Sequence, residues 1–276
     1  MKIAVLGAGN MGASMLGGMF RSGLVKPADV TATVRSPERA VAMRKKLGIK
    51  VTAGGNRAAA AGADVVVIAV KPGTVPKVVE EIATALKPGQ ILLSLAAALP
   101  ITVIEKRLQA PMAVFRAMPN IPVVVEEGAI ALCANAEATK AQWETVTTLF
   151  RAVGVVCKVD EDMMDAVTAL SGSGPAYVYL MIEAMIAGGV KMGLSREIAT
   201  RLAEQTVLGA AKHVRESGLH PAILRDEVIT PGGTTIIAMH ELERNGLRST
   251  LISAIESATR HAKEKARALV ESIDQR

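Results

Sequence analysis

Short runs of consecutive apolar residues alternate with longer stretches of helical spacing through the first half of the chain. Positions 2–6, 30–34, 65–70, 91–95 and 113–117 are apolar on nearly successive residues, the pattern of strands buried on both faces. Between them, 10–22, 37–47, 75–86 and 100–107 carry apolar residues at helical spacing. Several of these helices have Pro near the first turn, where a missing N–H costs nothing. Two later runs, 128–133 and 155–158, flank a helix over 137–152 and are expected to finish the sheet. From about Asp160 onward the strand signal vanishes, and 162–170, 175–188, 195–217 and 245–273 all read as helix, with Gly or Pro at the joins. The pattern therefore predicts an α/β doubly wound parallel sheet over 1–159, followed by an all-α domain over 160–276.

Composition sharpens this. Half of the residues are hydrophobic but only 2% are aromatic, so Ala, Val, Leu, Ile and Met must fill the core. Such a core suits close-packed helices and parallel strands, and apolar content this high points to further surface buried between subunits. The formal net charge is +6, yet Lys and Arg are interleaved with Asp and Glu. No basic run is interleaved with stacking aromatics, which argues against a nucleic-acid partner and fits a small polyanion. Cys133 and Cys157 cannot make a disulfide framework and read as buried reduced thiols. The opening residues form a strand rather than a signal peptide, and the most apolar stretch, 175–190, is broken by Glu183. No membrane association and a cytoplasmic location are expected.

The first strand runs directly into Gly7-Ala8-Gly9-Asn10-Met11-Gly12, which opens a helix. The first glycine permits a tight turn, the second lets a diphosphate approach the backbone, and the third lets helix and strand pack closely. At the start of a βαβ unit this is a Rossmann-like dinucleotide loop, the alternative being a glycine turn without a ligand. An Asp or Glu ending the second strand would bind the ribose 2′-OH of NAD. Here Arg35 and Ser36, with Arg39 nearby, stand there instead, a guanidinium and a hydroxyl suited to the 2′-phosphate of NADPH. NADPH is thus expected in preference to NADH, unless the arginines are merely solvated loop charges. Val70-Lys71-Pro72 ends the strand at 65–70, on the carboxyl edge where such sheets bind ligands, though Lys71 can equally leave the sheet into solvent.

The remaining chemistry is sparse. His213, His220, His240 and His261 lack metal-ligand spacing, and neither a GxSxG nor a Cys–His pair is evident, so no metal and no nucleophilic hydrolysis are expected. Hydroxyacid dehydrogenases of a similar two-part plan place a Lys shortly after a glycine-rich helix start. After Ser171-Gly172-Ser173-Gly174-Pro175 no Lys follows until Lys191. A carbonyl needs an acid as it is reduced, whereas a protonated imine already carries its proton, so the missing Lys points to C=N reduction. Thr230-Pro231-Gly232-Gly233-Thr234-Thr235 precedes an apolar-periodic helix. Thr230 is placed to cap, Pro231 fits the first helical position, and open N–H groups make a carboxylate site. An ordinary helix cap is the alternative reading. Ser171–Pro175 reads equally as a ligand segment or a tight helix crossing.

These segments together resemble the pyrroline-5-carboxylate reductase family. Its most distinctive stretch is similar to Asp160–Tyr177 and its second to Val228–Glu241. The glycine loop, Val70-Lys71-Pro72, Ser94-Leu95-Ala96-Ala97 and Arg116-Ala117-Met118-Pro119-Asn120 match in order over nearly the whole chain. The resemblance implies reduction of 1-pyrroline-5-carboxylate to L-proline with NADPH. It implies that backbone amides from Thr230 through Gly232 and Gly233 to Thr234 hold the carboxylate, while the Thr235 hydroxyl reaches the ring nitrogen. Asn56, Lys71, Ala97 and Asn120, with Val70, Pro72 and Ala96 beside them, would surround the nucleoside and nicotinamide. Homodimers, often assembled into rings, with the active site between subunits, are also implied. Ile121, where the family commonly has Thr, and the less typical stretch 123–127 depart from the pattern. The competing readings are a reductase of another cyclic imine and a catalytically silent dinucleotide-binding regulator.

Overall fold

A computed structural model of the protein describes residues 1–275. Its eight strands are β1 (Ile3–Leu6), β2 (Val30–Val34), β3 (Lys50–Ala53), β4 (Val65–Ile68), β5 (Ile91–Ser94), β6 (Ala113–Met118), β7 (Gly128–Ala134) and β8 (Gly154–Lys158). They form one sheet in the order β3-β2-β1-β4-β5-β6-β7-β8. All neighbours are parallel except β6 and β7, where Arg116 lies opposite Cys133. The connection over 119–127 is too short for the crossover a parallel pair requires, which forces the reversal. All four residues of β1, β4 and β5 are buried, as expected of strands covered on both faces.

Helices α1 (Asn10–Arg21), α2 (Pro37–Leu47), α3 (Asn56–Ala61), α4 (Val75–Ala83), α5 (Ile101–Glu105) and α6 (Lys140–Arg151) cover this sheet. One core joins Met15 and Leu16 of α1, Met43 of α2 and Phe150 of α6, and the other joins Ala60, Val79, Ile82 and Ile104 of α3, α4 and α5. Local signals explain the boundaries. Ser36 caps α2, Pro37 occupies its first turn, and Gly48 ends it at φ +67°. Thr139 and Gln142 close a capping box on α6. Strand β3 and helix α3 were not evident in the pattern, for physical reasons. β3 is an edge strand that exposes Lys50 and Ala53, and α3 is an Asn-Arg-Ala-Ala-Ala-Ala segment without apolar periodicity.

Beyond β8 come α7 (Met164–Val167) and a π-helical turn over Thr168–Gly172. The chain then forms α8 (Gly174–Lys191), α9 (Arg196–Ser217), α10 (Pro221–Val228), α11 (Thr234–Arg244) and α12 (Leu247–Asp274). Two compact units result: residues 1–173 with 257–275, and residues 174–256. The strands end at Lys158, but the helical unit starts only at Gly174, and the last part of α12 belongs to the sheet unit. There Ile273 is buried in the α3–α4–α5 core, with Leu269 and Val270 packed against it. In the helical unit α9 buries Ala199 and Ala203 and α10 buries Leu224, whereas the strongly apolar α8 buries no residue.

Arg116 on β6 is 6% exposed, and its guanidinium donates to Glu161 Oε1 at 3.2 Å. The same oxygen accepts from the Ile101 amide at 2.7 Å, at the start of α5. Burial, reinforced by the Glu161 charge and opposed by Arg116, pushes the Cys133 thiol up to about 12. Cys157 corrects the expectation of two buried thiols. It lies on β8 at the sheet edge and is exposed. No helix among the described residues is long and apolar enough to cross a membrane.

Candidate functional site

Strand order reverses direction at β1, so the connections leaving the paired strands β1 and β4 run to opposite sides and open a crevice at their carboxyl ends. A cleft of about 770 Å³ occupies this edge. Gly7 turns into it at φ +80°, and a Cβ on Gly7 would stand 2.2 Å from Val70 Cγ1. Only glycine fits that turn. Gly9 has only the Gly7 carbonyl within reach of such a Cβ, at 3.8 Å, whereas one on Gly12 would press on Val5 and Ala69 at 3.3 and 3.4 Å. Thus Gly9 leaves space for a ligand and Gly12 lets α1 settle on the sheet. No side chain caps α1, so the amides of Asn10, Met11 and Gly12 open toward an anion with the helix dipole behind them.

The cleft is lined by Arg35, Arg39, Lys71 and Lys77, and by no Asp or Glu. That donor set fits a dinucleotide with an additional phosphate: an acidic residue to grip a free 2′-OH is missing, and guanidinium groups stand in its place. Of the residues expected at the cofactor, Gly7, Gly9, Arg35, Asn56, Val70 and Lys71 line this cleft. Ser36 does not. Its hydroxyl caps α2, accepting from the Arg39 amide at 3.4 Å. Glu38, in the same turn, is held below the ordinary carboxylate range by a backbone hydrogen bond and by Ser36. Pro72 is half-buried at the head of a 3-10 turn over Pro72–Thr74. Ala96 is buried, its amide donating to Ser94 Oγ at 3.2 Å, and Ala97 is half-buried beside Ala98, which adopts φ +60°. Asn120 is buried with its side chain spent inside the fold: Nδ2 donates to the Ser171 carbonyl at 3.0 Å and Oδ1 accepts from the Ala129 amide at 2.9 Å. Thr33 and Lys77 line the cleft without having been singled out in the sequence. Lys77 was legible in principle, being one turn into the helix that follows Val70-Lys71-Pro72.

In the helical unit the Thr230–Thr235 segment differs from its expected form. Pro231 does not begin the helix and Thr230 does not cap it. Instead the Gly233 amide donates to the Thr230 carbonyl at 3.0 Å, closing a turn with Gly232 at φ +68°. Pro followed by a positive-φ glycine is the chemistry of a type II turn. Helix α11 starts at Thr234 behind an extended Gly233, with no side-chain cap. A Cβ on Gly233 would fall 2.3 Å from Thr230 Oγ1, so a side chain there would make Thr230 rotate away. The first-turn amides of α11 are unclaimed by side chains, and the half-buried Thr235 adds a hydroxyl to that turn. A helix start of this kind can receive an anion of carboxylate size. Within the sheet unit, Gly172 sits in the π-helical turn where a Cβ would approach Met118 Cε to 2.7 Å, a tight packing position. No metal-binding cluster of His, Cys, Asp and Glu occurs among the described residues.

Comparison with known proteins identifies the family. A family model described as pyrroline-5-carboxylate reductase dimerisation matches residues 161–265, and one described as NADP oxidoreductase, coenzyme F420-dependent, matches residues 2–98. A pyrroline-5-carboxylate reductase of Pseudomonas aeruginosa is 42% identical over 97% of this chain and 98% of its own length. The solved structure of a pyrroline-5-carboxylate reductase from Coxiella burnetii superposes with a TM-score of 0.89 at 39% identity, covering 96% of this chain and 98% of that one. The structure of the Plasmodium falciparum pyrroline carboxylate reductase with NADP bound has a TM-score of 0.85 at 30% identity, again covering 96% and 98% of the two chains. With sequence and fold shared along almost the entire length of both partners, this chain belongs to the pyrroline-5-carboxylate reductase family.

Proposed function

We propose that the protein reduces 1-pyrroline-5-carboxylate to L-proline with NAD(P)H, and that NADPH is preferred. The observation that carries the reading is the pairing, in one chain, of a cation-lined dinucleotide cleft with a separate carboxylate-sized grip at Thr230–Thr235. When bound, the nicotinamide supplies the hydride that adds to the imine carbon. The chain's own part is to hold and orient. Backbone amides of Asn10, Met11 and Gly12 receive the diphosphate, and Arg35 and Arg39 receive the 2′-phosphate. The turn and first amides of α11 hold the substrate carboxylate, and the Thr235 hydroxyl bonds the ring nitrogen. A protonated imine brings its own proton, so one hydride completes the amine. The absence of a strong acid or base from both grips is consistent with catalysis by positioning.

The helical unit is the surface for self-association into a homodimer. Its apolar α8 leaves Val178, Tyr179, Leu180 and Met185 exposed within the single chain, the composition of a buried subunit interface. Further assembly of dimers into a ring, and a cytoplasmic location, extend the same reading.

The direct test is an absorbance assay of NADPH consumption by the purified protein with pyrroline-5-carboxylate. Turnover with this substrate, lower with a six-membered imine and lowest with a carboxylate-free one, is expected. Faster turnover of the six-membered ring would reassign the substrate, and background rates with every imine would leave only dinucleotide binding.

A further inference from the structure

One chain of hydrogen bonds runs from the glycine turn to a carboxylate outside the cleft. The Gly7 amide, whose nearer acceptor is the Thr33 carbonyl at 3.0 Å, also donates to Thr33 Oγ1 at 3.2 Å. Thr33, only 1% exposed, donates its hydroxyl to Asn56 Oδ1 at 2.6 Å, and Asn56 Nδ2 donates to Glu81 Oε2 at 2.7 Å. Every donor in the series points the same way, and the last acceptor is a charge. Gly7, Thr33 and Asn56 line the cleft, whereas Glu81, on α4, does not.

The terminal carboxylate decides the polarity of the whole series. An Asn amide has two nearly isosteric orientations, and Thr33 tolerates either, since a hydroxyl can donate or accept. Glu81 does not, because the flipped amide would set its carbonyl oxygen against a carboxylate. With Glu81 ionised, Nδ2 is held toward α4 and Oδ1 toward Thr33. The Thr33 proton is thereby committed to Asn56, and a Thr33 lone pair is left facing the Gly7 N–H. Charge at the end of aligned hydrogen bonds polarises and strengthens the members before it. Beyond these bonds Asn56 keeps one amide hydrogen and one carbonyl lone pair, whose directions are then fixed.

We propose that Glu81 is a positioning residue for the dinucleotide: it locks the orientation of Asn56 in the cleft wall and, through Thr33, braces the glycine turn. The inference rests on the dinucleotide reading of the cleft and adds a residue that touches neither cofactor nor substrate.

Simple electrostatics makes the opposite prediction, which gives the test its sign. Removing a carboxylate near a cation-lined cleft should tighten binding of a polyanion. Loss of a positioning acceptor should weaken it. NADPH binding to the full-length protein is measured by isothermal titration calorimetry for wild type, Glu81→Ala, Glu81→Gln, Asn56→Ala and the Asn56→Ala/Glu81→Ala pair. Glu81→Ala is expected to raise Kd about fivefold, the worth of one charge-assisted hydrogen bond at an exposed position. Glu81→Gln, which keeps an acceptor oxygen but can also donate to a flipped Asn56 amide, should recover only part of the loss. The double variant should be no weaker than Asn56→Ala alone. In the reductase assay the Glu81→Ala loss should appear in the KM for NADPH, with kcat changed less than about twofold.

Unchanged or tighter binding by Glu81→Ala overturns the proposal. So does additivity with Asn56→Ala, or an equal fall in kcat accompanied by a lowered Tm, which is the mark of a purely structural residue. If wild type itself binds no NADPH, the dinucleotide reading fails first, and that outcome is distinct from a wild type that binds while its Glu81 variants do not differ.

Discussion

The Asn120 side chain fastens the Ser171 carbonyl, at 3.0 Å, to the end of strand β6. Its other polar atom accepts from the Ala129 amide at 2.9 Å, so one buried amide ties β6, β7 and the π-helical turn together. π-Turns occur disproportionately at functional sites, and this one must be held against its tendency to relax into an α-helix. Asn120→Ala would strand the partly buried Ala129 N–H and Ser171 carbonyl. It should cost about 1–3 kcal/mol for the unsatisfied groups. A urea denaturation curve whose midpoint matches wild type would show that neither bond matters.

Two glycines of the dinucleotide loop should fail in different ways. Gly7→Ala combines a left-handed backbone with a 2.2 Å approach to Val70, so it should lower Tm as well as abolish NADPH binding. Gly9→Ala meets only a carbonyl at 3.8 Å and should fold normally. The new methyl would fill the space the diphosphate needs, weakening NADPH by roughly tenfold or more. Thermal melts beside binding titrations separate the two.

Arg35 lines the cleft and Ser36 does not. Arg35→Ala should therefore raise the KM for NADPH by about tenfold, the loss of one charged phosphate contact, while leaving NADH nearly unaffected. Ser36→Ala should instead cost about 1 kcal/mol of stability through the α2 cap, with little change in cofactor preference. Steady-state kinetics with both cofactors would reject the assignment if Arg35→Ala treated them alike.

Thr235 belongs to the first turn of α11 and is half-buried without capping the helix. Thr235→Ala should lower kcat by about tenfold or more through loss of the bond to the ring nitrogen, with Thr235→Ser restoring most of it. Circular dichroism melts should be unchanged in both. Wild-type turnover in the Ala variant would remove Thr235 from the chemistry.

The two thiols should titrate apart. Cys157, exposed, should react with a disulfide reagent at once, and Cys133 only after unfolding. Because folding raises the Cys133 pKa from 9.0 to about 12, the native state keeps a proton that the unfolded chain releases above pH 9. The resulting stabilisation is whole below pH 9.0 and drains away as pH rises toward 12. Denaturation curves across that alkaline window should show a slope that Cys133→Ala lessens.

Much of this was legible in the sequence because the physics is local. Strands such as Val65–Ile68 are buried on both faces and read as unbroken apolar runs, and Gly7, Gly9 and Gly12 encode turn, approach and packing in one short stretch. The antiparallel turn into β7 was less visible, since pairing sense depends on the length of a connection and on what lies opposite. The α3 helix is an alanine run whose existence is decided by the sheet beneath it. The Thr33–Asn56–Glu81 series joins three elements far apart in sequence, and nothing in any one segment marks it. Thr230-Pro231-Gly232-Gly233 was recognisable as a helix entrance but not as a complete turn ahead of it, because the two share residue types.

Ile273 occupies the sheet unit's interior although the chain reaches it only after building every helix of the other unit. A ribosome therefore releases the strands and their covering helices long before the last apolar plug of that core exists. Until α12 emerges, the groove that receives Ile273, Leu269 and Val270 is open, so the nascent nucleotide-binding half must wait for its own seal. Excising the sheet unit after Ser173 would leave that groove permanently bare, whereas grafting residues 257–275 back in trans or by a linker should restore it.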